Sequence, residues 1–162
     1  MVNLKVEIYL KIIFIISLIS IISAYFIEYV LGHQPCNLCL IERVPYILSI
    51  ILITINFKFK RNEKFIILLL ILIFIFSLLI SVYHFGIEKG FFEESAVCNL
   101  NNATDIISKE ELLKILNEKT ISCKDVTFRV FGLSLTSVNI IISLMIIITL
   151  IKIYNIYEKI KS

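Results

Sequence analysis

The sequence predicts an all-α protein, a four-helix transmembrane bundle, and three observations lead there. Of the 162 residues 59% are hydrophobic, the mean hydropathy is +0.95, and four apolar runs of membrane-spanning length are separated by polar segments. A soluble domain is nearer to about half apolar, so an integral membrane protein in contact with the lipid bilayer is expected. The formal charge of +3 is small and no basic run alternates with aromatics, which excludes nucleic acid as a partner. With no internal repeat and no low-complexity linker, residues 1–162 read as a single integral membrane domain.

Lys5 and Lys11 precede the first span, about 12–31, which carries no charge until Glu28. At about 1.5 Å of rise per residue it crosses a hydrocarbon layer of roughly 30 Å. A basic start before an apolar core also fits a cleaved export signal; the run is long and no small-x-small cleavage site follows, so a retained helix is expected. The second span has 14 uncharged residues from Val44 to Phe57, which is too short. Begun near Leu38 it becomes 38–57, and Arg43 then lies about 7 Å inside the outer end, costly without snorkelling or a partner. Pro45 is either the first-turn proline of a shorter helix or a kink, and the sequence leaves both open. The polar connection KFKRNEK, residues 58–64, leads to a third span, 65–85, with His84 at its far end, and a fourth follows at 133–151.

Orientation follows from the basic residues. Segments 1–11, 58–64 and 152–162 hold nine of the sixteen Lys and Arg, which makes them, and both termini, cytoplasmic. The loops at about 32–37 and 86–132 face the other side, and all four cysteines fall there in two pairs, Cys36 with Cys39 and Cys98 with Cys123. Within the long loop, Ser108 and Glu111 have the form of a capping box. The short amphipathic helix expected after it puts Leu112, Ile115 and Leu116 on one face, either to order the loop or to rest in the membrane interface.

The reactive chemistry is concentrated in GHQPCNLCLIERVPY, residues 32–46. Thiolates attack disulfide sulfurs, so electrons pass along a series of cysteine pairs that can approach one another, and two pairs on one face of a membrane make a relay. Cys36 and Cys39 stand at the N-terminal end of the second span, where the helix dipole and a nearby cation favour the thiolate. Arg43, four residues after Cys39, is expected on the same helical face about one turn deeper, where it can stabilise a Cys39 thiolate or bind an electron-rich ligand. Glu42 lies off that face, as a solvated acid or a partner of Arg43. A lone CxxC is also half of a zinc site, but Cys98 and Cys123 are 25 residues apart and do not form a second close pair, so no metal is expected. His84 reads either as an interfacial anchor or as a hydrogen-bond partner of a bound redox ligand, and His33 stands near enough to the dithiol to tune it.

PCNLCLIERVPY at the second span, YHFGIEKGFF at the end of the third and SCKDVTFRVFGLSLTSVN entering the fourth resemble the DsbB family of bacterial inner-membrane disulfide-bond-formation proteins over nearly the whole chain. The resemblance implies a quinone-dependent protein-disulfide oxidoreductase with its site on the periplasmic face. It implies that Cys98 forms a mixed disulfide with a DsbA-like periplasmic thioredoxin-fold partner, that Cys123 exchanges with Cys36, and that Cys39 reacts with ubiquinone or menaquinone from the membrane quinone pool. Arg43 and His84 match quinone-site residues. A DsbA-type disulfide near about −120 mV needs an acceptor at least as oxidising, which a quinone supplies.

Two other readings compete. A vitamin K epoxide reductase-like enzyme is also four-helical, but there the quinone-side CxxC comes late in the chain. A non-catalytic membrane subunit with loops stapled by disulfides would keep those bonds intact during function.

Overall fold

The structure is a computed structural model that describes residues 2–58, 63–93, 123–124, 129–130 and 132–161. Its elements in chain order are α1 (Val2–Tyr29), α2 (Asn37–Ile41), α3 (Val44–Lys58), α4 (Glu63–Glu88), β1 (Arg129–Val130), β2 (Leu133–Ser134) and α5 (Leu135–Lys161). Four stretches are long and apolar enough to cross a membrane: Val6–Tyr29, Asn37–Lys58, Glu63–Glu88 and Leu135–Glu158. The expected four-helix bundle is therefore present. Its first and last helices run further than the apolar runs alone indicate. Ser108, Leu112, Ile115 and Leu116 lie outside the described residues, and so does Cys98.

Pro45 explains how the second span is built. A proline there has no N–H to give the carbonyl of Ile41, so a continuous helix fails at that point. Arg43 N–H instead turns to Leu40 O at 3.2 Å, and Ile47 N–H opens α3 by donating to Arg43 O at 3.2 Å. Pro45 sits in the first turn of α3, where its missing donor is harmless. The span Asn37–Lys58 is thus a short helix and a longer one joined by the Glu42–Arg43 turn, which resolves the choice that the sequence left open at Pro45.

The helices pack in a ring, α1 on α3, α3 on α4 and α4 most extensively on α5, with α5 returning to α1. Leu10, Ile13, Ile53, Leu70, Phe74 and Leu150 fill the centre at 0–1% exposure. Polar side chains share that interior: Ser17, Ser49, Ser77, Ser81 and Ser143 are fully buried. Ser49 donates to Ser17 at 2.8 Å, joining α3 to α1, and the Ser77 and Ser143 hydroxyls lie 3.3 Å apart between α4 and α5. The outer face carries Ile22, Phe65, Phe76, Leu79 and Met145, each more than half exposed. Apolar outside and hydroxyl-paired inside is the arrangement of a bundle whose solvent is hydrocarbon.

At one end, Gly132 (φ 82°) lets β1 turn back on β2, with Arg129 opposite Ser134 and Val130 opposite Leu133. This two-stranded ladder is the one departure from all-α structure among the described residues. It delivers the chain into α5.

Candidate functional site: a dithiol beside an apolar cavity

Cys36 is the N-cap of α2, and its sulfur accepts from the backbone N–H of Cys39 at 3.3 Å. One helical turn then brings Cys39 Sγ to 2.7 Å from Cys36 Sγ. Both cysteines are free. Cys123 is disulfide-bonded and 2% exposed, and it packs in one buried cluster with Cys36, Leu38 and Ile87. A cysteine of one pair therefore shares a buried cluster with a cysteine of the other.

Behind Cys36 stands His84, from the last turns of α4. Its Nε2 is 3.6 Å from Cys36 Sγ, and its Nδ1 is 3.0 Å from Glu42 Oε1. A carboxylate can only accept, so Nδ1 carries the proton toward Glu42, and in the neutral ring Nε2 presents its lone pair to the thiol. Glu42 Oε2 accepts from Asn139 Nδ2 at 3.2 Å, and Asn139 also donates to Ser81 at 2.7 Å and accepts from the Tyr46 hydroxyl. Thr136 lies 3.3 Å from His84 Nδ1 and donates to Glu88 at 2.5 Å. The network thus draws on the α2–α3 turn, α3, α4 and α5. The Cys36 thiol is pulled down from 9.0 to about 5, first by the hydrogen bond from Cys39 and then by His84, against the opposing effect of burial.

Arg43 leaves the same turn on the other side. It donates to Glu28 of α1 at 2.5 Å, and its guanidinium lies 5.1 Å from the Tyr25 ring centroid. Its charge is matched by Glu28. Glu42, expected as a solvated acid or as the partner of Arg43, is instead buried and belongs to His84.

Between α1, the α2–α3 turn and α5 lies a cavity of about 350 Å³. Its walls include Ile19, Ala24, Ile27, Val138 and Ile142, with Cys39, Arg43, Glu42, Tyr46, Asn139 and His33 as the polar part. Mostly apolar walls with a few convergent polar groups suit a small organic ligand. Ile19 and Leu135 line the cavity while facing the outer surface of the bundle at 57% and 36% exposure. The cavity consequently opens sideways, toward lipid. Of the residues singled out from the sequence, His33, Cys39, Glu42 and Arg43 line this cavity, whereas Cys36 and His84 do not, and Cys123 shares a buried cluster with Cys36.

The model of the family described as disulfide bond formation protein DsbB matches residues 7–153. The chain belongs to the DsbB family. Among relatives, a protein of Rickettsia prowazekii (strain Madrid E), described as uncharacterized protein RP370, is 26% identical over 137 residues, 83% of this chain and 80% of that one. No solved structure matches. DsbB membership carries with it a disulfide oxidoreductase activity in a multi-pass membrane protein.

Several members of the DsbB site escaped the sequence reading, namely Glu28, Tyr46, Thr136 and Asn139, while Glu42 was noticed and misplaced. A signal was present. Glu28 is a charge within an apolar span and Asn139 an amide within another, and buried polar groups in lipid require partners.

Proposed function

We propose that this DsbB-family chain reoxidises a DsbA-like periplasmic dithiol protein and passes the electrons through Cys98 and Cys123, then Cys36 and Cys39, to ubiquinone or menaquinone. The observation that carries this reading is the double position of Cys39, within 2.7 Å of Cys36 and in the wall of a cavity open to lipid. The burial of Cys123 against Cys36 supports exchange between the pairs, since attack requires sulfur to reach sulfur.

The cavity fits the group. A flat ring bearing two carbonyl oxygens and an apolar tail matches walls of Ile27, Val138 and Ile142, with N–H donors of Arg43 beyond the one given to Glu28. Bound there, a quinone supplies an acceptor for two electrons and two protons. The chain's part is placement: Glu28 and Tyr25 hold the guanidinium, α2 holds Cys39 toward the cavity, and the apolar walls exclude water. In this reading the basic segments remain cytoplasmic, the dithiol faces the periplasm of the inner membrane, and Cys98 meets the soluble partner.

The test is single-turnover oxidation of a reduced DsbA-like protein by the purified chain, with and without ubiquinone, with thiols trapped. Turnover that depends on quinone and is lost in Cys39→Ala, with a mixed disulfide at Cys98 in Cys123→Ala, is expected. Four cysteines that stay oxidised beside unreduced quinone would show the disulfides to be staples and overturn the proposal.

A further inference from the structure

We propose that the dithiol gives up its protons through a buried relay that runs from Cys39 to Cys36, His84 and Glu42, and so begins and ends in the wall of one cavity. The destination of those protons rests on the quinone reading; their departure from the sulfurs does not.

The geometry supplies each link. Cys39 lines the cavity, and its sulfur is 2.7 Å from Cys36 Sγ. From there His84 Nε2 is 3.6 Å away, and His84 Nδ1 reaches Glu42 Oε1 at 3.0 Å. Glu42 is again a cavity residue, whereas Cys36 and His84 are not. The two interior links are sealed, Cys36 at 7% and His84 at 2% exposure, so bulk water has little access to either.

The chemistry requires such a path. Closing the Cys36–Cys39 bond breaks two S–H bonds, forms one S–S bond and releases two electrons and two protons. In the proposed function all four pass to the quinone-class acceptor. Electrons leave at Cys39, but a proton on Cys36 faces the imidazole and not the cavity. His84 Nε2 takes it while Nδ1–H is given to Glu42, which leaves the ring neutral in its other tautomer. Glu42 then holds the proton at the cavity wall. With Cys36 deprotonated, Cys39 has an acceptor 2.7 Å away, and the second proton follows the same route once the ring has returned to its first tautomer.

Other charged groups nearby have assignments of their own. Glu88 reaches the imidazole through Thr136. Arg43 is paired with Glu28. His33 and Tyr46 line the cavity, with the Tyr46 hydroxyl given to Asn139. Asn139 fixes the second oxygen of Glu42 and so leaves Oε1 for His84. Cys36 and His84 touch the reacting atoms, while Glu42 acts through His84.

The experiment uses quinone-free, fully reduced protein. Alkylation of Cys36 by iodoacetamide, read by peptide mass against pH, reports its thiolate. Glu42→Gln keeps the shape and removes the carboxylate that takes the Nδ1 proton; the alkylation midpoint is expected to rise by about one pH unit, a tenfold loss of reactivity below it. His84→Ala should raise it further, and added imidazole should restore reactivity, which a merely structural histidine would not allow. Infrared difference spectra of reduced against oxidised protein should show a protonated carboxyl band that is missing in Glu42→Gln. A midpoint that Gln leaves in place, no rescue by imidazole, or no such band would overturn the relay. Because these readouts need no quinone, their failure leaves the quinone reading standing. A chain that passes them yet reduces no quinone overturns that reading and not the proton path.

Discussion

Arg43 donates to Glu28 Oε2 across 2.5 Å, and this bond ties the turn that follows the dithiol helix α2 to the first helix. Neither side chain is more than 20% exposed. Removing one partner leaves the other charge poorly solvated, and the penalty for that generally exceeds what the pair itself contributes. Glu28→Gln should therefore lower stability by about 1–3 kcal/mol, seen as a lower Tm in detergent. Arg43→Met should raise the quinone KM about tenfold, the loss of one charge-assisted hydrogen bond. Arg43→Lys should recover part of it, since an ammonium replaces the charge but not the planar fork.

Acid should act on the reduced protein in a way the oxidised protein does not share. Cys36 falls from 9.0 to about 5 on folding, so its thiolate contributes stability that is complete above about 9, declines as the pH falls, and is gone below about 5. Groups common to both redox forms largely cancel in the difference. The Tm of the reduced chain minus that of the oxidised chain should shrink between pH 9 and pH 5 and then level off. A constant difference across that window would mean that Cys36 stays protonated.

Asn139 connects Tyr46, Glu42 and Ser81, residues of α3, the α2–α3 turn and α4. Asn139→Leu is close in volume but strands three polar groups. We expect a loss of about 2–4 kcal/mol, measured by thermal unfolding. Tyr46→Phe, which removes one donor to the same amide, should cost about 1 kcal/mol.

Ala24 is a small residue in the cavity wall on α1. Ala24→Phe puts a ring where the ligand is proposed to lie, and quinone affinity should fall at least about tenfold, the effect of losing about 1.4 kcal/mol of binding. Titration with a quinone analogue would measure it. Undiminished affinity would move the quinone site elsewhere on the bundle.

Hydropathy alone makes the four spans legible, because in lipid every helix must satisfy its backbone internally and needs a long apolar run to do so. Pro45 marked the weak point of the second span without saying which of two geometries resolves it. Glu42 shows where sequence reasoning stops. On a helix it belongs to a face away from Cys39, and its partner His84 is 42 residues further on in α4. No local rule connects positions joined by the packing of two helices. The partner of Arg43 is likewise on another helix, Glu28 of α1. Cys36 and Cys39 were legible because CxxC is a local pattern, while the presence of Cys123 in the same buried cluster as Cys36 is again a product of packing.

The sideways opening beside Ile19 and Leu135 changes what concentration means for this protein. A ligand of that cavity arrives dissolved in the bilayer, so its supply is set by mole fraction in the lipid and not by molarity in the surrounding water. Diluting the same protein and quinone with more lipid or detergent, at fixed total volume, should lower occupancy as surely as removing quinone. Rates measured in micelles and in membranes become comparable once both are expressed per molecule of amphiphile.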